Sequence, residues 1–198
     1  MSKADPASQK KERNKTIRWV VTIFLVTIVV SALISLVSDR VMAGSGMIVA
    51  FLILFAIILV GILFDIIGMA VASADEKPFH SMAARKVPGA KQALLLLRNA
   101  GRVSSICNDV VGDICGVVSG SAAATISVQV LQNFTFSWPQ IVSLMMSALV
   151  AGLTVGGKAI GKKFAINSCT KIVFTVGRVV FFLGGIFRPF KKNKKSYR

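Results

Sequence analysis

Three carboxylates stand inside stretches of chain that are otherwise apolar: Asp65, Asp109 and Asp113. An ionised group in hydrocarbon is costly, so such a residue either pairs with a cation of the protein or belongs to an ion or proton pathway. Asp109 and Asp113 are four residues apart and share one helix face, with Cys107, Asn108 and Gly112 at the same level. Gly112 lets another backbone approach or exposes a carbonyl. Carboxylate, amide, hydroxyl and carbonyl oxygens are the groups that hard cations such as Mg2+ take as ligands, and this segment supplies them. The alternative is structural: the acids pair with a basic residue such as Lys158 and hold the helices in register. Ligands for softer metals are not clustered. His80 stands alone in a hydrophilic segment, where a solvated or interfacial imidazole is expected. Cys107, Cys115 and Cys169 lack metal-ligand spacing and read as small apolar packing residues.

The elements that must position these groups are four apolar runs, Ile17–Val37, Ile48–Ala72, Val103–Leu131 and Pro139–Gly157. Each is about 19 or more residues, enough to cross a hydrocarbon core about 30 Å thick at about 1.5 Å per residue. The expected fold class is therefore an all-α membrane protein with four transmembrane helices. Asp65 lies seven residues before Ala72, about 10 Å deep, and Asn108 is a similar distance into the third run, so the two are expected at matching depth.

Charge gives the orientation. Of the 24 Lys and Arg residues, all but Arg40 fall in the N-terminal tail with Arg18, in Lys77–Arg102, or from Lys158 onward. By the positive-inside rule these segments, with both termini, are expected to be cytoplasmic, and Ser38–Gly46 and Gln132–Trp138 outside a cell membrane. The net charge of +16 would suggest nucleic acid in a soluble protein. Here topology and attraction to an anionic inner leaflet account for it, and nucleic acid is not an expected partner. The expected organisation is a basic tail over residues 1–16, one transmembrane domain over 17–190, and a basic tail over 191–198. The first run is too long for a signal-peptide core and is followed by Ser-Asp-Arg-Val, so it is expected to remain as a helix. Asn133-Phe134-Thr135 matches a glycosylation sequon, but so short a loop at the membrane surface gives a transferase poor access.

Two further segments read as amphipathic helices lying along the membrane, over residues 79–99 and 166–184. The first is expected to divide near Val87-Pro88-Gly89, because proline disfavours helix in its predecessor. In the second, Ile166, Ile172, Val173, Val176, Val179, Val180 and Leu183 recur at helical spacing, with Lys171 and Arg178 on another face. A fifth span over Ile172–Phe187 competes with this reading, but it would bury Arg178 in mid-bilayer and carry the Lys-rich end outside.

From Ile48 to about Phe190 the chain resembles the transmembrane domain of the CNNM/CorB/CorC magnesium transporters. That domain's first span ends in a pattern like F-S-x-S-E-x-A-L-F-S, and Phe64-Asp65-Ile66-Ile67-Gly68-Met69-Ala70-Val71-Ala72-Ser73 resembles its framework. Its next span opens with L-S-x-I-x-x-G-N-x-x-x-N, against which stands Val103-Ser104-Ser105-Ile106-Cys107-Asn108-Asp109-Val110-Val111-Gly112-Asp113. Its third span ends in G-E-x-x-P-K, where this chain has Gly157-Lys158-Ala159-Ile160-Gly161-Lys162. Asn108 matches unchanged. Asp65 and Ile67 stand at the serine positions, Gly68 at the glutamate of the first motif, Cys107 at the glycine, Lys158 at the glutamate of the last motif and Gly161 at its proline.

The resemblance implies a homodimer with juxtamembrane helices that binds or moves a divalent cation, in the first place Mg2+, with Na+ or H+ as coupling ion. Together with the intramembrane acids it makes Asp65, Asn108 and Asp109 the candidate metal ligands and Asp113 a candidate supporting or proton-carrying group. Ser73, Ser104 and Ser105 then stand at the cytoplasmic mouth, and Cys107, Gly112 and Lys158 along the pathway. The CBS-pair domain that follows in most members is missing from the sequence, so ATP-linked regulation of that kind is not expected within this chain. The rival expectation is a membrane scaffold or accessory subunit that kept the fold with Lys158 paired to Asp109 or Asp113. No nucleophile–base set, phosphate loop or metalloprotease motif is present, so an enzyme is not expected.

Overall fold

The computed structural model describes residues 6–44, 46–134 and 138–186. Thr135 of the sequon, part of the second outer loop and the tail from Phe187 lie outside the described residues. Among the described residues eight α-helices and one π-helical turn follow in order: α1 (Pro6–Ala43), α2 (Met47–Ser73), α3 (Lys77–Ala84), α4 (Ala90–Arg98), α5 (Ala100–Ser105), the π-helix (Ile106–Gly112), α6 (Asp113–Asn133), α7 (Pro139–Asn167) and α8 (Cys169–Ile186). Among the described residues four stretches are long and apolar enough to cross a membrane: Ile17–Ser38, Met47–Ser73, Ala100–Asn133 and Pro139–Asn167. The chain is an all-α, multi-pass membrane protein. Helix α1 begins at Pro6, so much of the expected basic tail is helical, and α7 runs ten residues past the expected span end at Gly157.

Backbone contacts divide the chain into two compact units, Met1–Ile58 with Asp113–Ala151, and Leu59–Gly112 with Gly152–Arg198. In the first, α6 packs against α1. Val118, Ala122 and Ile126 recur every fourth residue on the buried face of α6, interleaved with Ser119, Ala123 and Ser127. The two buried serine hydroxyls donate to backbone carbonyls of their own helix, Ser119 to Gly116 at 2.9 Å and Ser127 to Ala124 at 2.8 Å. Polar groups held in this way do not demand water or a partner chain.

The second unit is built on a core of Ala70, Val71, Phe79, Ala93, Leu97, Ala165 and Val173. The amphipathic segment after α2 does divide as its sequence predicts. Helix α3 opens where the Lys77 amide donates to Asp75 Oδ1 at 3.1 Å, with proline in its first turn. It closes with Lys86 in the left-handed region, φ 56°, and with the Val87 amide donating to the Met82 carbonyl at 3.0 Å, the bond that ties off a helix end. Gly89, φ 91°, then starts α4. A methyl group at Gly89 would come within 2.8 Å of the Arg178 Cα, and one at Gly177 within 2.7 Å of the Gly89 carbonyl oxygen and 2.9 Å of Ala93 Cβ. Two glycines therefore let α4 and α8 touch backbone to backbone. The buried face of α8 carries Val173 and Gly177, and the helix covering it, α4, has nine residues and is too short to cross a bilayer.

Candidate functional site

Two close approaches assemble the site, both within the second unit. Gly157 and Gly161, four apart on α7, face Ile62 and Ile66, four apart on α2. A methyl group on Gly157 would overlap Ile62 Cδ1, and one on Gly161 would come within 2.9 Å of Ile66 Cγ1. Small residues at i and i+4 let helices approach in a membrane. This seat fixes the rotation of α7, and Lys158, the residue after Gly157, is carried to Asp65.

The second approach joins α2 to the π-helix. A methyl group on Gly68 would overlap Asn108 Oδ1, and one on Gly112 would overlap Asp65 Oδ1. The antiparallel pairing thus sets Asp65 level with Gly112 and Asn108 level with Gly68. Sequence reading expected Asp65 level with Asn108; the structure moves Asn108 one turn along α2, about 4.5 Å. The offset lies in the residue counts: Asn108 is five residues into the third run whereas Asp65 is seven from the end of the second, so Asn108 is the shallower of the two.

Lys158 Nζ lies 3.0 Å from Asp65 Oδ2 and donates a hydrogen bond of 3.1 Å to the Gly112 carbonyl. Asp65 is 3% exposed. Its carboxylate therefore has the lysine as a direct counter-charge, and the ammonium is held by a carboxylate and a carbonyl oxygen together. Lys158 pairs with Asp65, as the Gly157–Gly161 seat on α2 dictates. The seven-residue π-helix widens the backbone spiral where Gly112 meets the lysine, and such turns recur at functional sites.

Asn108 Oδ1 is buried and has no hydrogen-bond partner. An unmatched amide oxygen in a buried place costs about 1–3 kcal/mol, so it marks a position suited to a ligand. Cys107, beside it, is buried and carries a free thiol. The other candidates are more open. Asp109 and Asp113 are exposed, and Asp113 opens α6, in the other unit. Ser73 is exposed at the end of α2, and Ser104 and Ser105 are half-buried, with the Ser104 hydroxyl donating to the Gly101 carbonyl at 3.4 Å. His80 Nε2 lies 3.4 Å from Glu76 Oε2, one turn earlier on an exposed surface.

Among the described residues no three His, Cys, Asp or Glu side chains gather as a metal cluster. The oxygens that converge are instead of mixed type: the Asp65 carboxylate, the Gly112 carbonyl and, one turn away, the Asn108 amide. Sequence reading found Asp65, Asn108, Gly112 and Lys158 but missed Gly68, Gly157 and Gly161, whose role is to leave room; glycines four apart at the end of the fourth run were the available signal. No protein-family model and no curated protein sequence matches the chain.

Proposed function

We propose that the protein binds and moves a hard cation, Mg2+ in the first place, at the oxygen cluster of Asp65, Gly112 and Asn108, with Lys158 as a built-in cation that holds the cluster between ions. One observation carries this reading: the Lys158 ammonium is bound between a buried carboxylate and a backbone carbonyl, the coordination a cation receives. The unpartnered Asn108 oxygen adds a third ligand of the right kind. The ion and the ammonium exclude one another. Two unit charges 4 Å apart interact by about 4 kcal/mol at an effective dielectric of 20, so a divalent ion beside the ammonium is opposed by about 8 kcal/mol. Ion entry then requires Lys158 to swing aside on its flexible stem, and its return helps release the ion. Na+ or H+ is the coupling ion in this scheme. Cytoplasmic termini follow from the charge distribution, and a homodimer follows from the resemblance to the CNNM/CorB/CorC domain.

A second reading is favoured by the neutrality of the same pair: Asp65 and Lys158 cancel, as they would in a membrane scaffold that needs only a fixed helix register. Flux separates the two. Purified protein in liposomes, assayed with a Mg2+-sensitive dye, is expected to show protein-dependent Mg2+ movement that Asp65→Asn reduces about tenfold or more, since one ligand charge contributes on the order of 1.4 kcal/mol or above. Absence of flux in wild type and in both Asp65→Asn and Lys158→Gln favours the scaffold.

A further inference from the structure

A cavity of about 510 Å3 opens between the end of α2, the end of α7 and α8, within the second unit. This volume falls in the range of about 300–1,000 Å3 typical of sites for small organic ligands. Its lining is graded. Ile66 and Ile67 of α2 and Phe164 of α7 supply apolar walls, Ile172 and Val176 of α8 continue them, and Ser168, in the turn before α8, and Lys171 of α8 supply polar groups. Ile66 and Ile67 lie seven and six residues before Ser73, about 11 and 9 Å from the end of the span, which is acyl-chain depth for a helix that ends near the headgroups.

Lys171 is exposed, and none of the ion pairs formed among the described residues includes it. The Thr175 hydroxyl on the same face is already committed, donating to the Lys171 carbonyl at 2.9 Å. A cation without a carboxylate, set at the rim of an apolar cavity that reaches acyl depth, complements a molecule with an anionic head and an apolar tail. A free phosphate has no use for the apolar walls, and an uncharged lipid has none for the lysine.

We propose that this cavity is a binding site for one anionic glycerophospholipid, with an acyl chain against Ile66, Ile67 and Phe164 and the phosphate on Lys171 near the Ser168 hydroxyl. The site is separate from the Asp65–Lys158 cluster and does not depend on cation transport.

Native mass spectrometry of the full chain, released from micelles after incubation with equal amounts of phosphatidylglycerol and phosphatidylcholine, tests this. Wild type should retain phosphatidylglycerol in preference to phosphatidylcholine. Lys171→Gln should lower that preference about fivefold, the effect of ~1 kcal/mol for one basic side chain near the surface, and Lys171→Arg should restore it. Lys162→Gln, which removes an exposed lysine outside the cavity, should leave it unchanged. Excess glycerol phosphate should not displace the lipid, because the headgroup alone lacks the apolar contact. Ile172→Trp should fill the cavity and reduce retention of both lipids, with helix content checked by circular dichroism. Equal retention of the two lipids by wild type, an equal loss in Lys162→Gln and Lys171→Gln, or displacement by glycerol phosphate would overturn the proposal; each would mean diffuse attraction to a basic surface or to a bare phosphate site.

Discussion

Lys158 Nζ and Asp65 Oδ2 are 3.0 Å apart, on α7 and α2, and the lysine also holds the Gly112 carbonyl. Removing one member of a buried pair strands the other charge. Lys158→Met is therefore expected to lower stability by about 3–5 kcal/mol, and Asp65→Leu with Lys158→Met to regain most of it. Unfolding of the purified variants in micelles with a graded denaturing detergent measures both; equal loss in single and double variants would show that the pair is not what Lys158 contributes.

The contact between Gly161 and Ile66 sets the rotation that brings the pair together. Gly161→Leu is expected to cost about 1–3 kcal/mol by overpacking. Gly156, on the same helix, has nothing within 4 Å of where a side chain would begin, so Gly156→Leu should change stability by about 0.5 kcal/mol or less. Comparable losses in both would place the seat elsewhere.

Gly89 is doubly constrained, by a φ of 91° and by the Arg178 backbone. Gly89→Ala is expected to cost about 2 kcal/mol or more, from the left-handed penalty and the overlap together. Gly101→Ala, inside α5 with open space around it, should be neutral or stabilising by about 0.5–1 kcal/mol. Hydrogen exchange of the α4 amides should report the first change and not the second.

These substitutions also mark how far the sequence could be read. The apolar runs, the break at Val87–Gly89 and the intramembrane carboxylates are legible because each leaves a local signature: length, proline and glycine, or a charge where none is tolerated. The partner of Lys158 is not, because it depends on helix rotation, which Gly157 and Gly161 set through contacts with residues almost a hundred positions earlier. The π-helix is equally silent. Ile106–Gly112 contains no residue that demands five-residue hydrogen bonding, and the turn lies where the backbone meets Gly68 and Asp65. The offset of Asn108 from Asp65 is legible in the residue counts, five residues from the start of one run against seven from the end of the other, a difference in the direction the structure shows.

The proposed homodimer can be tested at Gly120. This residue is exposed on α6, and a side chain there would meet nothing within 4 Å in one protomer. Gly120→Leu should leave the monomer's unfolding unchanged and weaken dimerisation if the small-residue face is the contact. Energy transfer between labelled chains in liposomes measures it, and an unchanged dimer would move the interface off this face.

The central claim, that Lys158 occupies a site built for a cation, is tested most directly by Mg2+-dependent thermal stability of wild type, Lys158→Glu and Lys158→Glu with Asp65→Asn. A ligand that binds only the folded state stabilises it by about 2.7 kcal/mol at a hundred times its Kd. The account predicts a small Mg2+ response in wild type, a larger one in Lys158→Glu, where two carboxylates face the ion, and a response that falls again when Asp65 is neutralised. A Lys158→Glu variant that loses stability and does not regain it at any Mg2+ concentration would contradict the account and leave Asp65 and Lys158 as a structural ion pair.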